Sequence, residues 1–263
     1  MGTGLEGGCW VSGPHEGQPR VAGTLRAWSI VGRATGADRV SLRTLEFRAG
    51  ESPVLRSACD DVWYVLEGRA KLDLAGRTET LRAGTGVYVA PGLAARVRTS
   101  SSTPLVVASV RCPEPEDATT IECTAARHDD SDAAADISPT VHLGDRPRAA
   151  TGDRWYVELV NDAVGCRQVT QFVGSIPPGR APDHYHNYEE VVVVLSGRGL
   201  AWAGTTHAPI EAGTCIYLPR KQAHCLENTG DEPLLLVGVF HPAGSPAVRY
   251  ETGSSATGER SVS

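Results

Sequence analysis

The stretch that decides the fold runs from Gly179 to Gly197 and reads Gly-Arg-Ala-Pro-Asp-His184-Tyr-His186-Asn-Tyr-Glu-Glu190-Val-Val-Val-Val-Leu-Ser-Gly. The valine-rich run after Glu190 is typical of a buried β-strand, because β-branched residues are enriched in strands. His184 and His186 are two positions apart, and side chains at that spacing on a strand lie on the same face. Glu190 has the same parity, so a carboxylate can join the two imidazoles. The pattern predicts a metal site on a β-sheet.

A second segment downstream supports this prediction. Residues 213–218 read as a strand, residues 219–222 as a turn at Pro219, and the returning strand carries His224. A single histidine or one His-x-His pair would be weak evidence, since such residues are often only hydrogen-bonded or solvated. Here four ligand-type residues fall in register within one β pattern, and His224 is the candidate fourth ligand.

The two segments together resemble the two sequence motifs of the cupin superfamily. The positions that match the first motif are Gly179, His184, His186, Glu190 and Gly197. Those that match the second are Gly213, Pro219, His224 and Asn228, whereas Lys221 stands where the family usually has glycine. The resemblance implies antiparallel jelly-roll barrels. It also implies one divalent transition metal ion held by His184, His186, Glu190 and His224.

The chain contains an internal repeat. A shift of 129 positions pairs Gly50 with Gly179 and Gly68 with Gly197 without a gap. Such self-similarity indicates a duplicated domain. At the four ligand positions, however, the first copy holds Leu55, Ser57, Asp61 and Ala95. A single carboxylate without imidazoles is a poor ligand set for a transition metal. We therefore expect an intact metal motif only in the second copy.

The predicted organisation is all-β, with two tandem antiparallel barrels. Strand-like runs recur along the chain, and no long amphipathic stretch separates them, which disfavours an α/β fold. We expect an N-terminal cupin at residues 20–113 that has lost its metal ligands, a linker at 114–139 and a metal-binding cupin at 140–245. The terminal residues 1–19 and 246–263 are rich in small and polar residues, and we expect flexible tails there.

Composition excludes several classes of partner. The net charge of −6 and the lack of a basic run argue against nucleic acids and anionic membranes. The sequence lacks both an apolar run of the roughly 20 residues that a membrane span needs and the apolar core of a signal peptide, so a cytoplasmic protein is expected. Seven cysteines without Cys-x-x-Cys spacing make a disulfide framework unlikely. A two-barrel chain can bury its own sheet faces, which predicts a self-contained monomer or a homo-oligomer of such units.

The ligand set leaves the metal and the reaction open. Imidazole suits Fe(II), Mn(II), Ni(II), Cu(II) and Zn(II), and Fe(II) is the favoured choice. A six-coordinate ion would keep positions for water, dioxygen or a chelating substrate. The favoured function is a dioxygenase-type oxidoreductase acting on a small organic substrate. The alternatives are a non-redox isomerase, lyase or hydrolase and a non-catalytic metal- or ligand-binding cupin. The two-cupin ureidoglycine aminohydrolases fit less well, because they carry Glu-x-His where this chain has His184-Tyr-His186.

Substrate-binding residues are predicted by proximity to the motifs. A glutamine inside an apolar cavity is a natural hydrogen-bonding partner for a substrate, and strand parity admits either Gln171 or its neighbours on the inner face. The other candidates at the rim of the site are Arg180, Trp202 and Lys221. No residue is predicted to be a general base.

Overall fold

The computed structural model describes residues 2–113, 123–124 and 138–251. Within these ranges the chain forms antiparallel strands and four short 3-10 turns, which confirms the all-β prediction. No helix in the described ranges is long and apolar enough to cross a membrane. The 3-10 turns are Glu6–Gly8, Arg33–Thr35, Leu143–Asp145 and Asp162–Val164.

The first half of the chain contributes fourteen of the strands. Their bounds are β1 Thr3–Gly4, β2 Trp10–Ser12, β3 Arg20–Ala22, β4 Leu25–Val31, β5 Ser41–Phe47, β6 Gly50–Glu51, β7 Val54–Leu55, β8 Asp60–Glu67, β9 Arg69–Leu74, β10 Arg77–Arg82, β11 Thr85–Val89, β12 Ala95–Thr99, β13 Leu105–Cys112 and β14 Cys123–Thr124.

The second half repeats the same succession of strands. Their bounds are β15 Thr140–His142, β16 Ala149–Thr151, β17 Arg154–Val160, β18 Thr170–Ile176, β19 Gly179–Arg180, β20 His184–Tyr185, β21 Glu189–Ser196, β22 Arg198–Ala203, β23 Thr206–Glu211, β24 Cys215–Leu218, β25 His224–Asn228, β26 Leu234–His241 and β27 Tyr250–Glu251.

Each barrel consists of two sheets. The N-terminal barrel has a seven-stranded sheet of order β15-β11-β8-β13-β5-β4-β3 and a six-stranded sheet of order β10-β9-β12-β7-β14, with β6 beside β12. The C-terminal barrel has an eight-stranded sheet of order β1-β2-β24-β21-β26-β18-β17-β16 and a six-stranded sheet of order β23-β22-β25-β20-β27, with β19 beside β25. The matching orders reflect the duplicated sequence.

The two barrels exchange strands. Near the N-terminus, Trp10 and Val11 of β2 pair with Tyr217 and Ile216 in the C-terminal barrel. In the opposite direction, β15 pairs with β11 of the N-terminal barrel. The expectation of a flexible tail over residues 1–19 is therefore wrong, because β2 covers an otherwise open sheet edge. Residues 140–142 belong structurally to the first barrel, although they lie inside the range predicted for the second.

The predicted linker at residues 114–139 lies mostly outside the described residues. Cys123 and Thr124 form β14, which pairs with β7 of the N-terminal barrel. The predicted C-terminal tail also needs correction, because β27 pairs with β20 at the edge of the six-stranded sheet. Residues 246–251 are thus part of the second barrel, and residues 252–263 lie outside the described ranges.

A hydrophobic layer between the barrels explains the valine run of the second motif. Val191 and Val193 pack with Val62 and Val110 of the other barrel in one shared cluster. The alternate residues Val192 and Val194 lie in the separate interior of the C-terminal barrel. Strand β21 is buried on both faces, so its sequence is continuously apolar instead of alternating. The first barrel has its own interior, which includes Trp63, Leu72 and Leu105.

One glycine of the repeat is required by a close backbone approach. Gly68 has a φ of 84°, and a Cβ atom at this position would lie 2.3 Å from the carbonyl oxygen of Pro104. Its equivalent in the second copy, Gly197, has a φ of 91°, and a Cβ there would lie 2.9 Å from the Cα of Leu234. Glycine is the residue that fits such a position, because it has no side chain and accepts positive φ.

Candidate metal centre

Three histidines converge inside the C-terminal barrel. His184 on β20 is the direct cross-strand partner of His224 on β25, and His186 follows on the same segment as His184. One potential ligand atom from each imidazole lies within 4.8 Å of the other two. Among the described residues this is the one group of histidines, cysteines and acids with such geometry. The structure therefore brings together the three histidines that the sequence singled out.

Backbone carbonyls orient all three imidazoles. The Nδ1 atoms of His184, His186 and His224 lie 3.1, 3.0 and 2.8 Å from the carbonyl oxygens of Pro182, Val248 and Gln222, respectively. A carbonyl oxygen can only accept, so each Nδ1 carries the proton and each Nε2 keeps a free lone pair. Metal-binding histidines are commonly oriented in this way. The donor set thus fits a divalent transition metal.

Burial keeps these imidazoles neutral. It lowers the pKa of His184 to about 3 and that of His186 to about 2, with further lowering from the neighbouring histidines. It also lowers the pKa of His224. A metal ligand must be unprotonated, so these directions favour metal binding at neutral pH.

Glu190 lies on the wall of the same cavity but outside the group of three histidines. Its side chain is buried, and that burial raises its pKa to about 8. The backbone of Gly238 leaves room for it, because a Cβ there would lie 2.8 Å from Glu190 Oε1. A buried carboxyl group facing a cluster of imidazoles is suited to a cation, which would favour its ionised form.

The first copy shows what happens to this carboxylate when the histidines are lost. Asp61, which is equivalent to Glu190, forms a buried ion pair of 2.8 Å with Arg43. It also accepts a hydrogen bond of 2.6 Å from Ser109, the residue equivalent to Gly238. The carboxylate is therefore occupied by protein groups. This agrees with the expectation that the N-terminal barrel lacks the metal site, which remains a prediction.

The histidines line a cavity of about 110 Å³. By volume it holds on the order of ten water molecules, which is the size of a small organic substrate. An aromatic stack forms part of its surroundings, because the Tyr188 ring lies 4.4 Å from His186 and 4.1 Å from Phe240. The lining residues include Thr151, Tyr156, Phe172, Ser175, Leu226 and Leu236.

Comparison with known proteins agrees with this geometry. A family model described as "Cupin domain" matches residues 172–240. The crystal structure of a Bacillus subtilis oxalate decarboxylase mutant superposes with a TM-score of 0.74 over 92% of this chain and 79% of that chain, at 13% identity. The formate complex of Lactobacillus farciminis oxalate decarboxylase gives 0.73 over 92% and 88%, also at 13% identity. Residues 172–240 therefore form a cupin domain, and the chain as a whole has the two-barrel fold of a bicupin.

Curated relatives match over shorter stretches. Auxin-binding protein 1 of Arabidopsis thaliana is 36% identical over 89 residues, which cover 30% of this chain and 45% of that protein. Glucose-6-phosphate isomerase of Pyrococcus abyssi is 37% identical over 65 residues, covering 22% of this chain and 34% of that protein. The bicupin thus spans less than half the length of these relatives. At 13% identity, the likeness to the decarboxylase structures shows the fold alone.

The substrate-binding residues predicted from sequence do not line the cavity of this bicupin. Gln171 points towards the other barrel, where its Nε2 donates a hydrogen bond of 3.2 Å to the Trp63 carbonyl. Its neighbour Phe172 faces the cavity instead. The prediction for Gln171 is wrong because β18 is buried on both faces, so hydrophobicity does not reveal which parity faces inward.

Arg180 and Trp202 form a separate cluster on the six-stranded sheet. The Arg180 guanidinium lies 4.1 Å above the Trp202 ring, and the indole donates a hydrogen bond of 2.8 Å to Glu227. Lys221 acts through its backbone, because it adopts a φ of 62° and its N–H donates a hydrogen bond of 2.7 Å to the His186 carbonyl. None of the three lines the cavity, because nearness in sequence to the motifs does not bring a side chain into the barrel, and their role in substrate binding stays a prediction.

Sequence reasoning missed two arginines that line the cavity. Arg154 begins β17, and Arg249 lies on the C-terminal segment that was expected to be flexible. Burial lowers the pKa of the Arg154 guanidinium, and the nearby charge of Arg249 lowers it further. Neither arginine belongs to a sequence motif, so the sequence carried no signal that either side chain lines the cavity.

Proposed function

We propose that the C-terminal barrel is the active site of a metal-dependent enzyme that acts on a small organic substrate. The observation that carries this proposal is the convergence of three oriented imidazoles on the wall of a cavity. Their Nε2 atoms would hold one divalent ion, with Glu190 as the fourth ligand. When bound, such an ion supplies Lewis-acid activation and open positions for a substrate and dioxygen.

The favoured reaction is a dioxygenase-type oxidation with Fe(II). Imidazole and carboxylate donors suit this ion, although the same set also accepts manganese, nickel, copper or zinc. The protein's own contribution is to orient the ligands and to limit access of water. Burial also raises the pKa of Tyr188 well above its ordinary value, so its phenol keeps the proton and is a hydrogen-bond donor rather than a base.

One observation favours a second candidate, a non-redox isomerase, lyase or hydrolase. The clustered ligand atoms come from the three histidines without Glu190. With the ion on the histidines alone, Glu190 is a carboxyl group beside the substrate whose pKa is raised to about 8. A carboxyl group in that range can exchange a proton with a substrate near neutral pH. Glu190 would then be the acid or base of the reaction.

Metal occupancy is the first experiment. Elemental analysis of the purified bicupin should give one transition-metal ion per chain. Single alanine substitutions of His184, His186 or His224 should abolish that ion, whereas His207→Ala, which changes a histidine that packs on Trp202, should leave it in place. Two ions per chain, or full occupancy in all three variants, would overturn the assignment.

The second experiment identifies the chemistry. Metal-free protein is reconstituted under anaerobic conditions with Fe(II), Mn(II), Ni(II), Cu(II) or Zn(II) and tested on a panel of small organic acids with an oxygen electrode. Oxygen consumption with Fe(II) that depends on the histidines supports the oxidative proposal. Equal turnover without oxygen, or best turnover with Zn(II), assigns the non-redox reaction. A metal-loaded protein that binds acids without converting them is a binding cupin.

A further inference from the structure

The cavity that contains the histidines is also lined by basic side chains. Arg154 and Arg249 both line it, and among the described lining residues the one acid is Glu190, which lies on the wall beside the histidine cluster. Arg154 forms a long ion pair with Asp153, whose oxygen lies 3.9 Å away and whose side chain is 79% exposed. Two guanidinium groups that line one cavity, where Glu190 is the one acid among the described lining residues, form an anion-binding arrangement.

The two arginines come from different elements and meet at the same cavity. Arg154 is held by the pairing of β17 with β16 and β18. Arg249 is held by β27, where the rings of Tyr250 and Tyr185 stack 5.3 Å apart. The Arg154 side chain is 20% exposed, so charges there are partly removed from water. An anion bound between them would be stabilised more than at an exposed surface.

Hydroxyl groups complete the polar part of this wall. Thr151, Tyr156 and Ser175 line the cavity together with the two arginines. Hydroxyls can donate to a carboxylate whose other oxygens face the guanidinium groups. The rest of the wall is apolar and includes Ile176, Leu226 and Leu236. Such a site suits a short carbon chain that carries acidic groups at its ends.

We propose that the cavity selects a small dicarboxylate, with one carboxylate directed to the metal and the second held by Arg154 and Arg249. This inference rests on the proposed function for the carboxylate at the metal. The carboxylate at Arg154 and Arg249 is held without help from the ion. The cavity of about 110 Å³ corresponds to roughly ten non-hydrogen atoms, the size of a diacid with a short chain.

Calorimetric titration tests the proposal without requiring turnover. Zn(II)-loaded and metal-free protein are titrated with oxalate, malonate, succinate and glutarate, and with acetate, propionate and butyrate as monoacid controls. Binding should be tightest for one chain length of diacid. Arg154→Gln and Arg249→Gln should each lower the affinity for that diacid by about tenfold or more. Monoacid binding and zinc content should stay unchanged.

Matched variants keep the test decisive. Arg167→Gln removes an arginine whose side chain is 85% exposed and pairs with Asp162. It should change neither the diacid affinity nor the monoacid affinity. Arg249→Lys preserves the charge without the planar fork and should give an intermediate loss. Equal binding of diacids and monoacids, or glutamine variants that bind diacids like the wild type, would overturn the inference and leave the metal assignment intact.

Failure of the metal assignment is recognised separately. A protein that takes up no zinc but binds diacids with the same dependence on Arg154 and Arg249 supports the anion site and overturns the proposed metal centre. Loss of both zinc uptake and diacid binding in the folded wild-type protein overturns both.

Discussion

At the scale of single residues, the candidate metal centre depends on backbone groups that orient its imidazoles. The Lys221 amide donates to the His186 carbonyl, and the carbonyls of Pro182, Val248 and Gln222 face the three Nδ1 atoms. The partner in each contact is a backbone group, which a residue of any type can supply. They explain why a motif search finds the ligands but misses the groups that orient them.

Lys221 provides a prediction about backbone strain. Its φ of 62° lies in the left-handed region, which costs about 1–2 kcal/mol for a residue with a side chain. Lys221→Gly should therefore raise the free energy of unfolding by up to about 1 kcal/mol and leave metal content unchanged, as measured by urea unfolding. Ala75→Gly, at a φ of 52° in the other barrel, is the matched control and should stabilise similarly. Lower stability in the Lys221 variant would show that its side chain has a role.

Glu190 provides a prediction about pH. In the metal-free protein its pKa is raised from 4.5 to about 8, so the folded state holds a proton that the unfolded state releases between these pH values. The stabilisation that comes from this bound proton is therefore lost as pH rises from about 4.5 to about 8. Glu190→Gln removes this dependence, so the metal-free variant should match the wild type near pH 4.5 and exceed it by a few kcal/mol at pH 9.

Bound zinc should reverse the order of stability of the wild type and the Glu190→Gln variant. With saturating Zn(II) at pH 7.5, the wild type gains stability from binding and the Glu190→Gln variant gains less, because it has lost a charged ligand. Urea unfolding with zinc or with a chelator measures both states. A variant that gains as much from zinc as the wild type would show that Glu190 is not a ligand and would favour its role as an acid or base.

At the scale of elements, the segment at residues 246–251 links the candidate metal centre to the edge of the sheet. It supplies the Val248 carbonyl to His186, places Arg249 at the cavity and pairs with β20 as β27. The stacked rings of Tyr185 and Tyr250 hold this pairing. A stretch that composition marks as a tail is thus part of the candidate site.

Tyr250→Ala should therefore weaken metal binding without removing a ligand. An aromatic pair is worth about 0.5–1.5 kcal/mol, so loosening the segment should reduce zinc affinity by about tenfold at most. Competition with a chromophoric chelator measures the affinity. Tyr250→Phe keeps the ring and should bind zinc like the wild type. A variant Tyr250→Ala with unchanged affinity would show that the Val248 carbonyl does not control His186.

The elements differ in how far sequence could predict them. The duplicated barrels and the three histidines were readable because spacing, strand parity and turn glycines all point to one arrangement. The exchange of β2 and β15 was not readable, because a strand of three residues is too short to show an alternating pattern. The prediction for Gln171 was wrong for a different reason. Strand β18 is buried on both faces, so its hydrophobic pattern does not show which residues face the cavity. Arg249 lines the cavity because β27 pairs with β20, a contact between distant segments that the sequence pattern does not show.

At the scale of the whole molecule, the described parts of the two barrels are joined by strand pairing, apolar packing and hydrogen bonds. The exchanged strands β2 and β15 complete each other's sheets, and a shared apolar cluster lies between the two large sheets. In addition, the buried Glu189 carboxylate of the second barrel accepts hydrogen bonds of 2.8 and 2.9 Å from the backbone amides of Asp38 and Arg39 in the first. This arrangement agrees with the prediction that each chain buries its own sheet faces.

These contacts predict that the two barrels unfold as one unit. Scanning calorimetry of the metal-free protein should show a single transition whose calorimetric and van't Hoff enthalpies agree. Glu189→Gln should lower the free energy of unfolding by about 1.5–3 kcal/mol and move that single transition to lower temperature, because charged hydrogen bonds across the interface are lost. Asp60→Asn is the matched control, since Asp60 accepts a hydrogen bond of 2.5 Å from Tyr88 within its own barrel. Two separated transitions in the wild type would show that the barrels are independent, whereas a split that appears in the Glu189 variant but not in the Asp60 variant would identify the Glu189 contact as the one that couples them.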